Sequence, residues 1–174
     1  MSADMRPICA GVVFAGLALV IGGACAADGA KPEFDFTTGG AAAAVGQATE
    51  RSLRNELAFC GGEAKDIAKA TPKLMAHWTK RNQPWLTASL AVRTEMRARL
   101  VGSDAVNNGP IFDRDFEQAI AGVAQRGTDQ LRGMTDPAQR LAACQKIMRD
   151  AKEGRRDVSA VNEKAAEMLR GYMK

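Results

Sequence analysis

Apolar residues along most of this chain recur every three or four positions, the spacing of one face of an α-helix. Leu53, Leu57, Cys60, Ala64 and Ile67 form the first such stripe. Gly61 and Gly62 interrupt it and are expected to bend or split the helix, because each glycine costs roughly 1 kcal/mol in a helix interior. Thr71-Pro72 reads as a cap followed by a first-turn proline, which predicts a second helix starting there. Asn82–Trp85, with Pro84 inside it, predicts a kink or a restart. That helix continues through Leu86, Leu90, Met96 and Leu100, and the run 102–110 predicts a loop.

A third stripe joins Phe112, Phe116, Ile120, Val123 and Leu131, with Gly127 leaving a notch in it. Asp136 is a good cap and Pro137 a good first residue for a fourth helix carrying Leu141, Cys144, Met148 and Ala151. Gly154 breaks that run, and Val158, Val161, Ala165, Met168 and Tyr172 predict a last helix. No alternating strand pattern occurs between residues 27 and 174. The expected fold is therefore all-α, a bundle of four or five helices.

The first 26 residues read differently. Arg6 precedes an uncharged run, Ile8–Ile21, and Ala24 and Ala26 then stand at the small-x-small exit of a secretory signal peptide. Cleavage after Ala26 is expected. Ile8 to Ala27 is barely long enough to span a bilayer, and the small-residue exit favours cleavage over anchoring, so no stable membrane span is expected afterwards. The alternative is a lipid anchor on Cys25, in a signal with Gly22 where a large aliphatic residue is wanted. Residues 27–40 read as a flexible linker and 41–174 as one helical domain. The expected location is periplasmic or secreted.

Cleavage leaves two of the four cysteines, Cys60 and Cys144, one on the first apolar stripe and one on the fourth. An oxidising compartment favours joining them. Such a bond would staple the bundle, stabilising it by roughly 4 kcal/mol through loop entropy. Charge changes the picture little. The formal net charge is +4, from 24 basic and 20 acidic residues. Losing Asp4 and Arg6 leaves the balance unchanged. This mixed-sign surface makes no case for nucleic acid.

Candidate chemistry is sparse. His77 is the single histidine, so a helical two-histidine metal motif is absent, and no metal ligand or catalytic residue is assigned. Asp113, Asp115 and Glu117 lack the glycine and glutamate spacing of a calcium loop. They read as helix-start electrostatics, as Arg93, Arg97 and Arg99 read as helix-end electrostatics, with an arginine site for an acidic partner as the alternative. The run 149–157 mixes both signs and reads as a solvated face. Trp78 and Trp85, seven residues apart, are expected to anchor the core, or else to form with His77 a candidate binding surface at the Pro84 kink.

Three function classes follow. The first is a non-enzymatic exported protein acting by protein–protein contact, such as an inhibitor, an immunity protein or an accessory subunit. Its partner would be another envelope or secreted protein, and a homodimer is compatible with the same reading. The second is a carrier of a small molecule or cofactor at the Trp78/Trp85 notch, with haem held between a methionine and His77 as one form. No cofactor is required by the first reading. The third is an enzyme, for which no acid–base constellation is recognisable.

Overall fold

The computed structural model describes residues 14–15, 18–19 and 35–173. The cleavage position, Cys25 and most of the expected signal peptide lie outside them. Among the described residues the chain is helical apart from a two-residue antiparallel pairing of Phe14–Ala15 with Ala18–Leu19. Six helices follow in order. They are α1 (Phe36–Glu63), α2 (Lys65–Val101), α3 (Ala105–Gly133), α4 (Pro137–Lys152), α5 (Val158–Val161) and α6 (Glu163–Arg170). None is long and apolar enough to cross a membrane. The count exceeds the expected four or five because the last stripe is split: Asn162 is extended, and its side chain caps α6 by accepting the Ala165 N–H at 3.0 Å.

Helix α1 starts at Phe36, inside the stretch expected to be linker. Asp35 is the reason: its carboxylate accepts the N–H groups of Thr37 and Thr38 at 2.9 and 3.2 Å, satisfying donors that open a helix. The glycine- and alanine-rich first half of α1 hides little apolar pattern, yet Gly39, Gly40, Ala42 and Ala43 are buried. Small residues let α2 approach closely. A Cβ at Gly46 would sit 2.9 Å from the Ser89 Cβ, and the Ser89 hydroxyl donates to the Ala42 and Ala43 carbonyls at 2.9 and 2.8 Å.

The break after α1 falls at Ala64, extended at φ −148° and ψ 123°, just beyond the two glycines. The second helix does not begin at Thr71-Pro72, as its sequence suggested. Helix α2 begins at Lys65 and runs through Pro72 and Pro84 without a break. Thr71 does not cap it; its hydroxyl donates to the Ile67 carbonyl at 2.8 Å. Each internal proline deletes one backbone hydrogen bond and costs about 3 kcal/mol in helix propensity. Burial of Ile67, Leu74, Met75, Trp78, Ala88, Val92 and Met96 along one side outweighs that cost. The loop expected at 102–110 shrinks likewise to 102–104, because Asp104 caps α3 and Pro110 lies within the helix.

Helix α1 is the central element, packed against each of the other five. Its Leu53, Leu57 and Cys60 have no exposed surface, nor do Ile120, Cys144 and Leu169 that surround them. The Sγ atoms of Cys60 on α1 and Cys144 on α4 stand 2.03 Å apart, at disulfide distance. Leu141 and Val161, expected on apolar stripes, are 37% and 44% exposed and contribute little to this core.

Candidate functional site

The three residues proposed from sequence as a binding surface do not share one. Trp78 has no exposed surface. Its indole N–H donates to the Arg156 carbonyl at 2.9 Å, so it is a strut inside the bundle. Trp85 is half-buried against the core, the anchoring role its spacing suggested. His77 is exposed, with its Nδ1 3.4 Å from an Arg81 nitrogen. Met75, by contrast, is buried, and two positions along a helix place them on different faces. Met75 and His77 therefore do not oppose each other across a cavity. The open groove of about 880 Å³ near Pro72 is lined by Arg54, Met75, Thr79 and Lys80 among others, and by neither tryptophan.

The Trp78 bond leads to a polar centre that sequence reasoning missed. One turn of α2 presents Trp78, Arg81 and Asn82 to the segment 153–157 between α4 and α5. Arg81 holds Asp157 through two bonds of 2.7 Å and also donates to the Ala151 carbonyl at 2.6 Å. The Asp157 carboxylate raises the Arg81 pKa above its ordinary value. Asn82, 1% exposed, donates to Asp157 and to the Trp78 carbonyl, and accepts the Val158 N–H at 2.9 Å. Such a fully bonded buried amide fixes the chain segment that bears it.

That latch directs Arg156 onto α1. Its Nη2 donates to Glu56 Oε2, while the Ser52 hydroxyl donates to Glu56 Oε1 at 3.0 Å. Glu56 is 3% exposed, a rare condition for a carboxylate and tolerable because it is paired. Its side chain fills the notch at Gly127 on α3: a Cβ there would lie 1.9 Å from Oε1. Arg156 Nε is buried with no hydrogen-bond partner. A cavity of about 270 Å³ opens beside this pair, walled by α1 from Ala41 to Glu56, by Val123 of α3 and by the α5–α6 junction at Val161 and Asn162. One sequence signal pointed here. Glu56 falls between Leu53 and Leu57 on the first apolar stripe, where a charge is out of place. Arg156 carried no such signal, because the run 149–157 reads as solvated; in fact Asp150 is buried and Arg156 and Asp157 are half-buried.

Helix α3 starts at Ala105, so Asp113, Asp115 and Glu117 lie inside it and not at its start, and of the three arginines only Arg99 stands in the last turn of α2. Arg97 pairs with Asp113 at 3.1 Å, and Glu117 pairs with Arg93 and Arg51 at 2.9 and 2.6 Å. Burial opposes ionisation of Glu117, but the two arginines outweigh it and hold its pKa below the ordinary value. Arg93 also lies 4.6 Å over the Phe116 ring. These arginines are occupied internally. Four lysines of α2 behave otherwise. Lys65, Lys69, Lys73 and Lys80 are exposed and make no ion pair among the described residues. Their spacing places them within about 80° of arc on α2 and along roughly 22 Å of its length. That face is opposite the buried Leu74, Trp78 and Val92.

Compared with protein families, with characterised proteins and with solved structures, the chain matches none.

Proposed function

We propose that this chain is an exported helical protein that acts by non-covalent contact with an acidic partner protein, as an inhibitor, an immunity protein or an accessory subunit. The lysine face of α2 is the observation that carries the reading. Four exposed lysines outside any ion pair, with Asp66 the one acid between Lys65 and Lys80, make a positive edge along one side of α2. A partner with a complementary acidic face gains association rate and register from such an edge. The lysines carry few apolar neighbours on that face, which suits a solvated protein contact better than insertion into lipid. Export is supported by the Arg6, Ile8–Ile21 and Ala24–Ala26 pattern, with cleavage after Ala26 or lipid attachment at Cys25 as its two forms. The disulfide-distance pair Cys60/Cys144 fits an oxidising periplasmic or extracellular location.

The test is the triple reversal Lys69→Glu, Lys73→Glu and Lys80→Glu. Glutamate is about as good a helix former as lysine, and none of these lysines has an ion-pair partner to lose, so the fold is expected to hold. Both proteins are used to capture partners from envelope extract at low and high salt. The expected result is a stoichiometric partner that the parent binds at low salt, that high salt weakens, and that the triple variant binds at least ~10-fold more weakly. Equal capture by parent and variant, self-association alone, or no partner would overturn the reading.

A further inference from the structure

The open groove beside Pro72 adjoins the lysine face, and its lining narrows what a partner must bring. We propose, building on the partner-contact reading, that this groove receives an acidic amphipathic helix of the partner. The apolar stripe of that helix lies on Pro72, Met75 and Ala76, and its carboxylates turn to Lys73 and Lys80. Three observations lead there.

The first is continuity. Pro72 and Ala76 stand three or four residues from Lys69, Lys73 and Lys80, so all five share one side of α2. Lys80 belongs to both features, because it also lines the groove. The second is charge. Among the described residues that line the groove there is no aspartate or glutamate. Arg54, on the α1 wall, is bonded to Glu50 through Nε and Nη2 at 3.1 and 2.6 Å, so that wall adds little net charge. Lys73 and Lys80 therefore set the sign, which attracts an acidic segment and repels a basic one.

The third is shape. The α2 wall runs from Thr71 to Gln83, a rise of about 18 Å, which matches about three turns of a helix lying along it. Pro72 and Ala76 are exposed there, and Met75 forms the floor at 5% exposure. A methionine floor adapts to side chains of different shape. This strip is too narrow to hold a partner by apolar burial alone, and mobile lysines alone fix no register. A helix with both an apolar stripe and flanking acids uses the two together.

The probe is a synthetic peptide of about 14 residues, with leucines at helical spacing and glutamates between them. A scrambled peptide of the same composition and a peptide with lysine for each glutamate are the controls. Binding is followed by fluorescence anisotropy at low and high salt. The groove variant Pro72→Gln/Ala76→Gln replaces the apolar strip with neutral amides and leaves every lysine in place. Both positions are exposed and glutamine is a good helix former, so the fold is expected to hold; Ala76→Gln alone serves should the double variant fail to fold. The expected result is saturable binding of the helical acidic probe that high salt weakens. Binding is expected to be at least ~10-fold weaker for each control peptide, for the groove variant and for the triple lysine reversal. No saturable binding, equal binding of the scrambled peptide, or full binding by the groove variant would overturn the assignment. So would self-association that the groove variant abolishes, which would make a second copy the occupant. The two readings fail separately. If the groove variant still captures the envelope partner and the triple lysine reversal does not, the groove is excluded and the lysine contact stands.

Discussion

At Gly127 a missing side chain and a buried charge define each other. The notch on α3 holds the carboxylate of Glu56, and Arg156 and Ser52 keep that carboxylate from swinging away. Gly127→Ala therefore forces a choice between a steric clash and a broken ion pair. It is expected to cost about 2–3 kcal/mol in urea denaturation. Glu56→Ala alone removes the counter-charge of Arg156. Because the arginine side chain is 28% exposed and can regain some water, that cost is expected to be about 2 kcal/mol, below that of a fully buried pair. In the Glu56→Ala background the added Cβ meets no Oε1. The double variant is then expected to be more stable than the sum of the single effects by about 1–2 kcal/mol. Strict additivity would mean that Glu56 does not occupy the notch in solution.

Helix α2 shows how tertiary packing overrides local signals. Pro72 and Pro84 each leave one backbone carbonyl, four residues earlier, without its helical donor. Replacing either by alanine restores that donor, and Pro72→Ala and Pro84→Ala are each expected to raise stability by roughly 1–2 kcal/mol. A fall in the denaturation midpoint for either one would show that the proline shapes α2 in a way its neighbours require. The same helix marks the limit of what periodicity reveals. Of the run expected on the second helix, Met96 is buried and Leu86 half-buried, but Leu90 and Leu100 are exposed and the buried Val92 was missed; the Asp136–Pro137 start of α4 and both cysteines were legible. The boundaries at Thr71 and at 102–110 were misplaced because proline and asparagine speak only for their own residue. The energy that settles the boundary comes from side chains that pack much later in the chain. The polar centre was less legible still. Trp78 meets the Arg156 carbonyl, and Arg81 and Asn82 meet Asp157, across more than seventy residues, and no local rule connects them. Glu56 alone betrayed itself, as a charge on an apolar stripe.

The molecule as a whole hangs on α1, and the Cys60–Cys144 contact decides how firmly α4 is tied to it. The two residues are 84 apart in sequence and neither has any exposed surface. Other ties between these helices are modest: Arg140 of α4 reaches Glu63 of α1 at 2.9 Å near the surface, where an ion pair is worth about 1 kcal/mol or less. A covalent link across that separation restricts the unfolded chain enough to stabilise the bundle by about 4 kcal/mol, so its loss should lower the melting temperature by about 10 °C in a domain of this size. A thiol reagent reaches the buried sulfurs only after the bundle opens, so reduction must be done in denaturant before refolding. The prediction is that protein refolded with dithiothreitol melts about 10 °C below the oxidised protein, and that Cys60→Ser/Cys144→Ser melts with the reduced form whether or not reductant is present. If the oxidised and reduced proteins melt together, the helices hold without the link, and the cysteines no longer argue for an oxidising compartment. If the oxidised form alone survives at 37 °C, full stability depends on the link, as an oxidising location of the kind proposed above would permit.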